Sequence, residues 1–224
     1  MQFYFIRHGQ SANNLLYATT GSDKGRDYDP ELTVTGHQQA ELLGDFLKHN
    51  HFCFTHLYTS LMVRAVSTGM LVADRLGLPL VAWPDLHEEG GIYLSDEYGK
   101  PVGQPGKDRA YFEMQFPNLV LPESLDSSGW WNRPYESAAE RSARAKRFLQ
   151  NLITRHGGTD HRVAVISHGG FYNHVLASLM NLSTRQSLWF VLNNTAISRI
   201  DFYPDKTDFV YHNRVDFLPL DLIT

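Results

Sequence analysis

The chain has 224 residues, enough for one large α/β domain or two small ones around a substantial core. Its 42% hydrophobic and 20% charged content is that of a soluble globular protein, and a net charge of −4 with a pI near 6.2 lacks the basic excess of a general nucleic-acid binder, which leaves room only for a local cationic pocket. No apolar run approaches the roughly 18 residues of a membrane span, the N-terminus has no signal-like pattern, and the single Cys53 excludes an intramolecular disulfide, so a reducing, cytoplasmic setting without membrane or nucleic-acid partners is the expectation.

Gln2 to Ile6 are aromatic and β-branched, as in a buried strand, and the run stops at Arg7-His8-Gly9. Ligands of open α/β sheets collect beyond the carboxyl ends of strands, so Arg7 and His8 fall where chemistry is done. A guanidinium matches phosphate oxygens and a neutral imidazole can act as nucleophile, while Gly9 allows close backbone approach and Ser11 and Asn14 add uncharged donors. Gly21 to Pro30, with Lys24 and Arg26, has the composition of a loop.

Thr35 with Gln38 has the form of a capping box, and Ala40, Leu43, Phe46 and Leu47 follow at helical spacing, which predicts a helix from about Gly36 to His49. His37, His49, His51 and His56 lie close in sequence, yet no Cys or acidic partner completes a metal-ligand spacing, and they read as surface or core residues. Cys53 sits in an apolar run and reads as a buried thiol. A strand over His56 to Ser60 precedes a helix from Leu61 to Leu76. Arg64 falls in that helix's first turn, where a cation is unfavourable unless it meets an anion.

Leu80 to Trp83 is a third strand, followed by Asp85-Leu-His-Glu-Glu-Gly-Gly91. From Ile92 to Arg133 periodicity is lost, as in an inserted lid or binding segment. Its Tyr111, Phe112, Trp130 and Trp131 suit either ligand stacking or packing, and its Lys107, Arg109 and Arg133 suit a second anionic group. Ser137 with Glu140 again forms a capping box ahead of a helix that ends before Gly157-Gly158. Arg162 to Ser167 is a buried strand running into His168-Gly169-Gly170 and a helix from about Phe171 to Met180, which repeats the opening pattern of strand, histidine and glycine. Thr195 to Phe202 and Phe209 to Arg214 read as an antiparallel hairpin. Asn181-Leu-Ser183 and Asn193-Asn-Thr195 match the glycosylation pattern but read as chance matches.

Four segments in order resemble the histidine phosphatase superfamily, also called the phosphoglycerate mutase-like family. Arg7-His8-Gly9-Gln10-Ser11 with Asn14 is similar to its R-H-G-[EQ]-[ST]-x-x-N signature, and Leu32-Thr33 with Gly36, Gln39 and Ala40 fits its L-[ST]-x-x-G-x-x-Q-A element. Tyr58-Thr-Ser60 with Arg64-Ala65 and Thr68 fits its Y-[ST]-S-x-x-x-R-A-x-x-T segment, and Ser167-His168-Gly169-Gly170 its second-histidine turn. The resemblance implies one domain over 1–224 as a three-layer α/β/α sandwich with a mostly parallel central sheet, into which the aperiodic segment at about 92–133 is inserted as a lid.

It implies that His8 is the nucleophile and that Arg7, Asn14, Arg64, His168 and Gly169 bind the phosphoryl group. The acid is expected in an L-x-E context, which selects Glu88 in Leu86-His87-Glu88 with Glu89 as rival. Ser11, Lys24, Arg26 and Arg109 are candidates for holding the rest of the substrate, with no metal or cofactor expected. Gly90-Gly-Ile-Tyr-Leu replaces the G-x-[WL]-x-G frequent in small phosphatases, and the tyrosine-and-proline-rich insertion usual in the mutases is not found between Ile92 and Arg133. The resemblance therefore favours a phosphomonoesterase of a small metabolite over a phosphoglycerate mutase-type isomerase or a noncatalytic phosphate-binding scaffold. Substrate identity and oligomeric state stay open.

Overall fold

The computed structural model describes residues 1–182 and 188–224, so the third residue of Asn181-Leu-Ser183 lies outside the described residues. In chain order the elements are β1 (Gln2–Arg7), α1 (Ala12–Thr20), α2 (Val34–His49), β2 (His56–Thr59), α3 (Val63–Leu76), β3 (Leu80–Ala82), β4 (Tyr93–Ser95), β5 (Pro101–Gly103), α4 (Arg109–Gln115), β6 (Leu119–Val120), α5 (Ala138–His156), β7 (Arg162–Ser167), α6 (Gly169–Leu179), β8 (Ile197–Phe202) and β9 (Thr207–Arg214). The main sheet runs in the order β6-β3-β2-β7-β1-β8-β9. Its first five strands are parallel, and β8 and β9 add an antiparallel edge, as the hairpin pattern predicts.

Both faces of the parallel strands are covered, which is why their sequences are nearly all apolar. Side chains alternate across the sheet: Tyr4, Ile6, Leu57, Ala164 and Ile166 pack under α2 and α3, while Phe3, Phe5, Tyr58, Val163 and Val165 pack under α5 and α6. Each fully buried phenylalanine is worth about 1.5–3 kcal/mol relative to exposure. The result is the expected three-layer α/β/α sandwich.

Several local expectations are corrected. The cap of α2 is Thr33, whose hydroxyl accepts the Gly36 N–H at 3.0 Å, so the helix starts two residues before Gly36. Ser11 and Asn14 form a capping box on α1, a helix that the sequence pattern did not announce. Cys53 is exposed rather than buried, because the chain turns there with a positive φ of 51°. The segment 92–133 contains β4, β5, α4 and β6, and β6 pairs with β3 at the edge of the main sheet. Phe112 is fully buried in the core under α2 and α3, with Tyr111 and Trp130 packed against that core, and Trp131 is buried beside Met62 and Ile92. Tyr111, Phe112, Trp130 and Trp131 are therefore packing residues. No helix among the described residues is long and apolar enough to cross a membrane.

Candidate active site

The carboxyl ends of β1, β2 and β7 lie side by side, and each delivers one polar side chain to the same place: His8, Ser60 and His168. The loop after β1 is held by a close crossing with the start of α2. A Cβ on Gly9 would lie 2.4 Å from the Gly36 carbonyl oxygen, and one on Gly36 would lie 2.1 Å from that of Gln10. Only two glycines permit this approach. Gly9 N–H then donates to Thr68 Oγ1 at 3.0 Å, and Gln10 N–H to Gln39 Oε1 at 2.7 Å. Gly36, Gln39 and Thr68 thus act as scaffolding for the loop that carries the histidine.

His8 is 2% exposed. Its Nδ1 stands 2.6 Å from the Gly9 carbonyl oxygen, which can only accept, so Nδ1 carries the proton and Nε2 keeps its lone pair. Arg64 Nε–H donates to that Nε2 at 3.2 Å. Burial above all, then the charges of Arg64 and Arg7, holds the His8 imidazole well below the usual histidine range. His168 is also held neutral by burial and by Arg64. Its ring lies 5.0 Å from that of His8, its Nε2 meets Ser60 Oγ at 3.0 Å, and its buried Nδ1 has no partner among the described residues.

Arg7 donates through Nη1 to the Leu192 carbonyl at 2.5 Å, and its buried Nε has no partner among the described residues. Burial lowers its pKa to about 10, which leaves it cationic at neutral pH. Asn14 Oδ1 accepts from Ser11 and Asn194, which turns the amide so that its NH2 is left to the pocket it lines. The anion for Arg64 is Asp29, 3.9 Å from Arg64 Nη1, whose Oδ1 also accepts the first N–H of α3, that of Val63, at 3.0 Å. Burial pushes the Asp29 carboxyl up to about 7.

Glu88 sits across the pocket at the N-terminus of α6, where His168 supplies no side-chain cap. Its carboxylate accepts from the amides of Phe171 (2.8 Å), Gly170 (3.1 Å) and Glu89 (2.8 Å). A Cβ at Gly170 would lie 2.4 Å from Glu88 Oε1, so that glycine is required for the approach. Glu89 is instead bound by Arg141 at 3.0 Å and His174 at 3.1 Å, and these contacts hold its carboxyl below the usual range. The stretch before Glu88 is anchored by the fully buried Arg144. That residue is paired bidentately with Glu136 (2.6 and 2.8 Å) and donates to the carbonyls of Asp85 and His87, both at 2.8 Å.

Between Arg7, His8, Arg64 and Glu88 opens a cleft of about 400 Å³, a size suited to a small molecule. Arg7, His8, Ser11, Asn14, Arg26, Arg64, Glu88, Glu89 and Gly169 line it, and His168 lies buried behind His8. Lys24 is exposed and is not part of the lining. Arg109 is spent on the Leu125 and Pro122 carbonyls, both at 2.7 Å, and is also outside it. The outer wall comes from Tyr28, Tyr93 and the stretch Trp189 to Leu192, with Arg26 bonded to and stacked on Tyr93, 4.1 Å from its centroid. Asp29, Ser60, Asn194, Arg144 and Tyr93 carry no signal in the sequence that would have singled them out, except that Ser60 falls inside a quoted motif.

The model of the histidine phosphatase superfamily (branch 1) matches residues 3–215. The chain belongs to that superfamily. It is 26% identical over 223 residues to a putative phosphoserine phosphatase 2 of Hydrogenobacter thermophilus, covering 96% of each chain. It is 25% identical over 206 residues to a probable phosphoglycerate mutase GpmB of Yersinia enterocolitica, covering 90% of this chain and 85% of that one. Among solved structures it is similar to the phosphoserine phosphatase of Entamoeba histolytica in complex with 3-phosphoglyceric acid (TM-score 0.65, 22% identity, 97% of this chain and 99% of that chain). It is also similar to a putative alpha-ribazole-5'-P phosphatase of Escherichia coli (TM-score 0.65, 21% identity, 96% and 97%). The structural likeness bears on the fold, and the family with its phosphatase-named members supports a phosphoric monoester hydrolase.

Proposed function

We propose that the chain hydrolyses a small phosphate monoester through a phosphohistidine on His8 Nε2. The observation that carries this is the fixed tautomer of His8: Gly9 holds the Nδ1 proton, so Nε2 keeps its lone pair, aimed at the Arg64 guanidinium in a cleft that Arg7 also lines. Uncatalysed phosphate-monoester hydrolysis is among the slowest of reactions, and preorganised positive charge supplies much of the rescue. Arg7 and Arg64 meet the equatorial oxygens, with His168 Nδ1 and the Asn14 amide as further neighbours.

In the first step the Nε2–P bond forms as the ester P–O bond breaks, and Glu88, protonated, passes its proton to the leaving oxygen. In the second, Glu88 takes a proton from water as that water attacks phosphohistidine, releasing phosphate and free His8. The part of the substrate beyond the phosphoryl group lies against Arg26, Tyr28 and Tyr93. Arg26, with its buried Nε unpartnered among the described residues, suits a substrate carrying a carboxylate or other anionic group. Phosphoserine, named in relatives of this chain, is a compound of that kind.

The experiment is a panel of phosphate esters assayed with and without 2,3-bisphosphoglycerate, combined with trapping of labelled phosphate on the protein. Phosphate release with label lost in His8→Ala supports the proposal. Activator-dependent isomerisation selects the mutase reading that the GpmB likeness keeps in play, and equal label on His8→Ala means the nucleophile is another residue.

A further inference from the structure

At the opposite end of the sheet from the cleft, where β2 and β7 begin and α5 ends, His56, His156 and His161 each bring one ring nitrogen to within 4.8 Å of the others. Their ring centroids are 4.5, 4.5 and 5.3 Å apart. His156 is buried, while His56 and His161 are half-buried, so the cluster is walled on the protein side and open on the other.

Two of the ring nitrogens share a hydrogen bond at a spacing near that of ligands on one ion. His156 Nδ1 and His161 Nδ1 face each other at 3.0 Å. Two imidazole nitrogens on one tetrahedral zinc, each at about 2.0–2.1 Å, stand about 3.3 Å apart. The far sides of two rings are held as outer-shell contacts hold metal-bound histidines. His156 Nε2 lies 3.1 Å from Tyr58 Oη, so an Nε2–H donated there leaves Nδ1 with its lone pair. His56 Nδ1 lies 2.9 Å from Thr55 Oγ1, which accepts the Arg162 N–H at 3.0 Å and turns its own proton to the Arg162 carbonyl at 3.2 Å. His56 Nδ1–H therefore donates to that hydroxyl, and its Nε2 is left bare. The segment carrying His156 and His161 is tied to itself, since Thr159 Oγ1 donates to the His156 carbonyl at 2.6 Å and accepts the His161 N–H at 3.2 Å.

From this geometry we infer that His56, His156 and His161 form a three-histidine site for a zinc-class divalent cation, with solvent in the fourth position. Imidazole is a preferred ligand for zinc, copper and nickel, and a cation here joins the end of α5 to the starts of β2 and β7. The site is separate from the phosphate cleft and does not depend on the reaction proposed there. Because His56 is a hundred residues from the other two, the unfolded chain does not hold the three-ligand set together, and binding stabilises the native state.

The test is calorimetric titration of chelator-stripped protein with zinc chloride, paired with thermal melting. The His8→Ala background serves to remove zinc binding by the histidines of the cleft. One zinc per chain with a raised melting temperature is expected in that background. His56→Gln and His161→Gln, both at half-exposed positions, should each abolish the thermal shift, and Tyr58→Phe should weaken binding by about tenfold or more by releasing the His156 ring. Absence of zinc binding in the wild type, or affinity and thermal shift unchanged in both His56→Gln and His161→Gln, overturns the proposal. Circular dichroism confirms that each variant is folded, and the two single variants give independent readings.

Discussion

Arg64 Nε donates to His8 Nε2 at 3.2 Å, so in the proposed reaction the guanidinium that meets the phosphoryl oxygens first holds the atom that attacks phosphorus. Arg64 is placed by Asp29, which also accepts the first N–H of α3. Removing it should cost kcat/KM about 10²- to 10³-fold, as for one preorganised donor. Arg64→Ala and Arg64→Lys, assayed by steady-state kinetics on folded protein, should both show the loss, because lysine lacks the planar fork. Wild-type kinetics in Arg64→Ala would remove the residue from the reaction.

Glu88 and Glu89 are neighbours with different bindings, one to three amides beside the cleft and one to Arg141 and His174. Glu88→Gln should lower kcat about 10²- to 10⁴-fold for an alkyl phosphate and far less for p-nitrophenyl phosphate, whose leaving group needs no proton. Glu89→Gln should leave both substrates close to wild type. The reverse ranking would transfer the acid role to Glu89.

The pH dependence of stability has two opposed parts. Burial holds His8, His87 and His168 well below the usual range. Below about pH 6.5 the unfolded chain takes up protons that the native state refuses, so stability falls, by up to about 1.4 kcal/mol per pH unit for each histidine. Asp29, raised to about 7, acts the other way: its contribution is complete below about pH 3.9 and is lost as pH rises to about 7. His56, His156 and His212 are lowered as well and act in the same direction as the three buried histidines, so against the one carboxyl of Asp29 the wild type should lose stability between pH 6.5 and 5. Asp29→Asn should gain on the wild type as pH rises from 4 to 7. Urea denaturation of both across this range checks the signs, and a wild-type stability that rises from pH 6.5 to 5 would contradict them.

Arg144 is a buried ion-pair partner with two backbone tethers, and Arg144→Met leaves Glu136 charged and unpaired inside the protein. The expected cost is about 3–5 kcal/mol in chemical denaturation. The double variant Arg144→Met/Glu136→Leu should recover much of that stability. It should still turn over slowly, because the Asp85 and His87 carbonyls that position Glu88 have lost their tether.

The phosphoryl charge is met by Arg7 and Arg64 in the proposed reaction, so turnover should survive EDTA. The melting temperature of zinc-loaded protein should fall on the same treatment if the three-histidine site is filled. Loss of turnover on chelation, restored by added metal, would overturn the arginine-based mechanism.

Much of the layer order was legible because period and type of residue dictate it: β1, β2 and β7 are apolar runs buried on both faces, and α5 announces itself with the Ser137 and Glu140 box. Arg7, His8, Arg64 and His168 could be picked out because each stands at a strand end or helix start, where backbone geometry exposes it. What the residues alone left undecided were pairings across distance. Asp29 meets Arg64 only because a loop folds over the start of α3, and nothing local to Asp29 marks that. Tyr111, Phe112, Trp130 and Trp131 had the chemistry of a ligand wall, yet burial against the core and Met62 claimed them, and Arg26, Tyr93 and Trp189 to Leu192 took the wall instead. His56 had no ligand partner within reach in sequence, and found two when α5 ended beside β2. The sequence by itself determined which segments are buried and which polar residues lie at the strand ends beside the cleft, since both follow from local period and polarity. Tertiary structure alone decided which side chains share a site, because that depends on where segments a hundred residues apart are packed together.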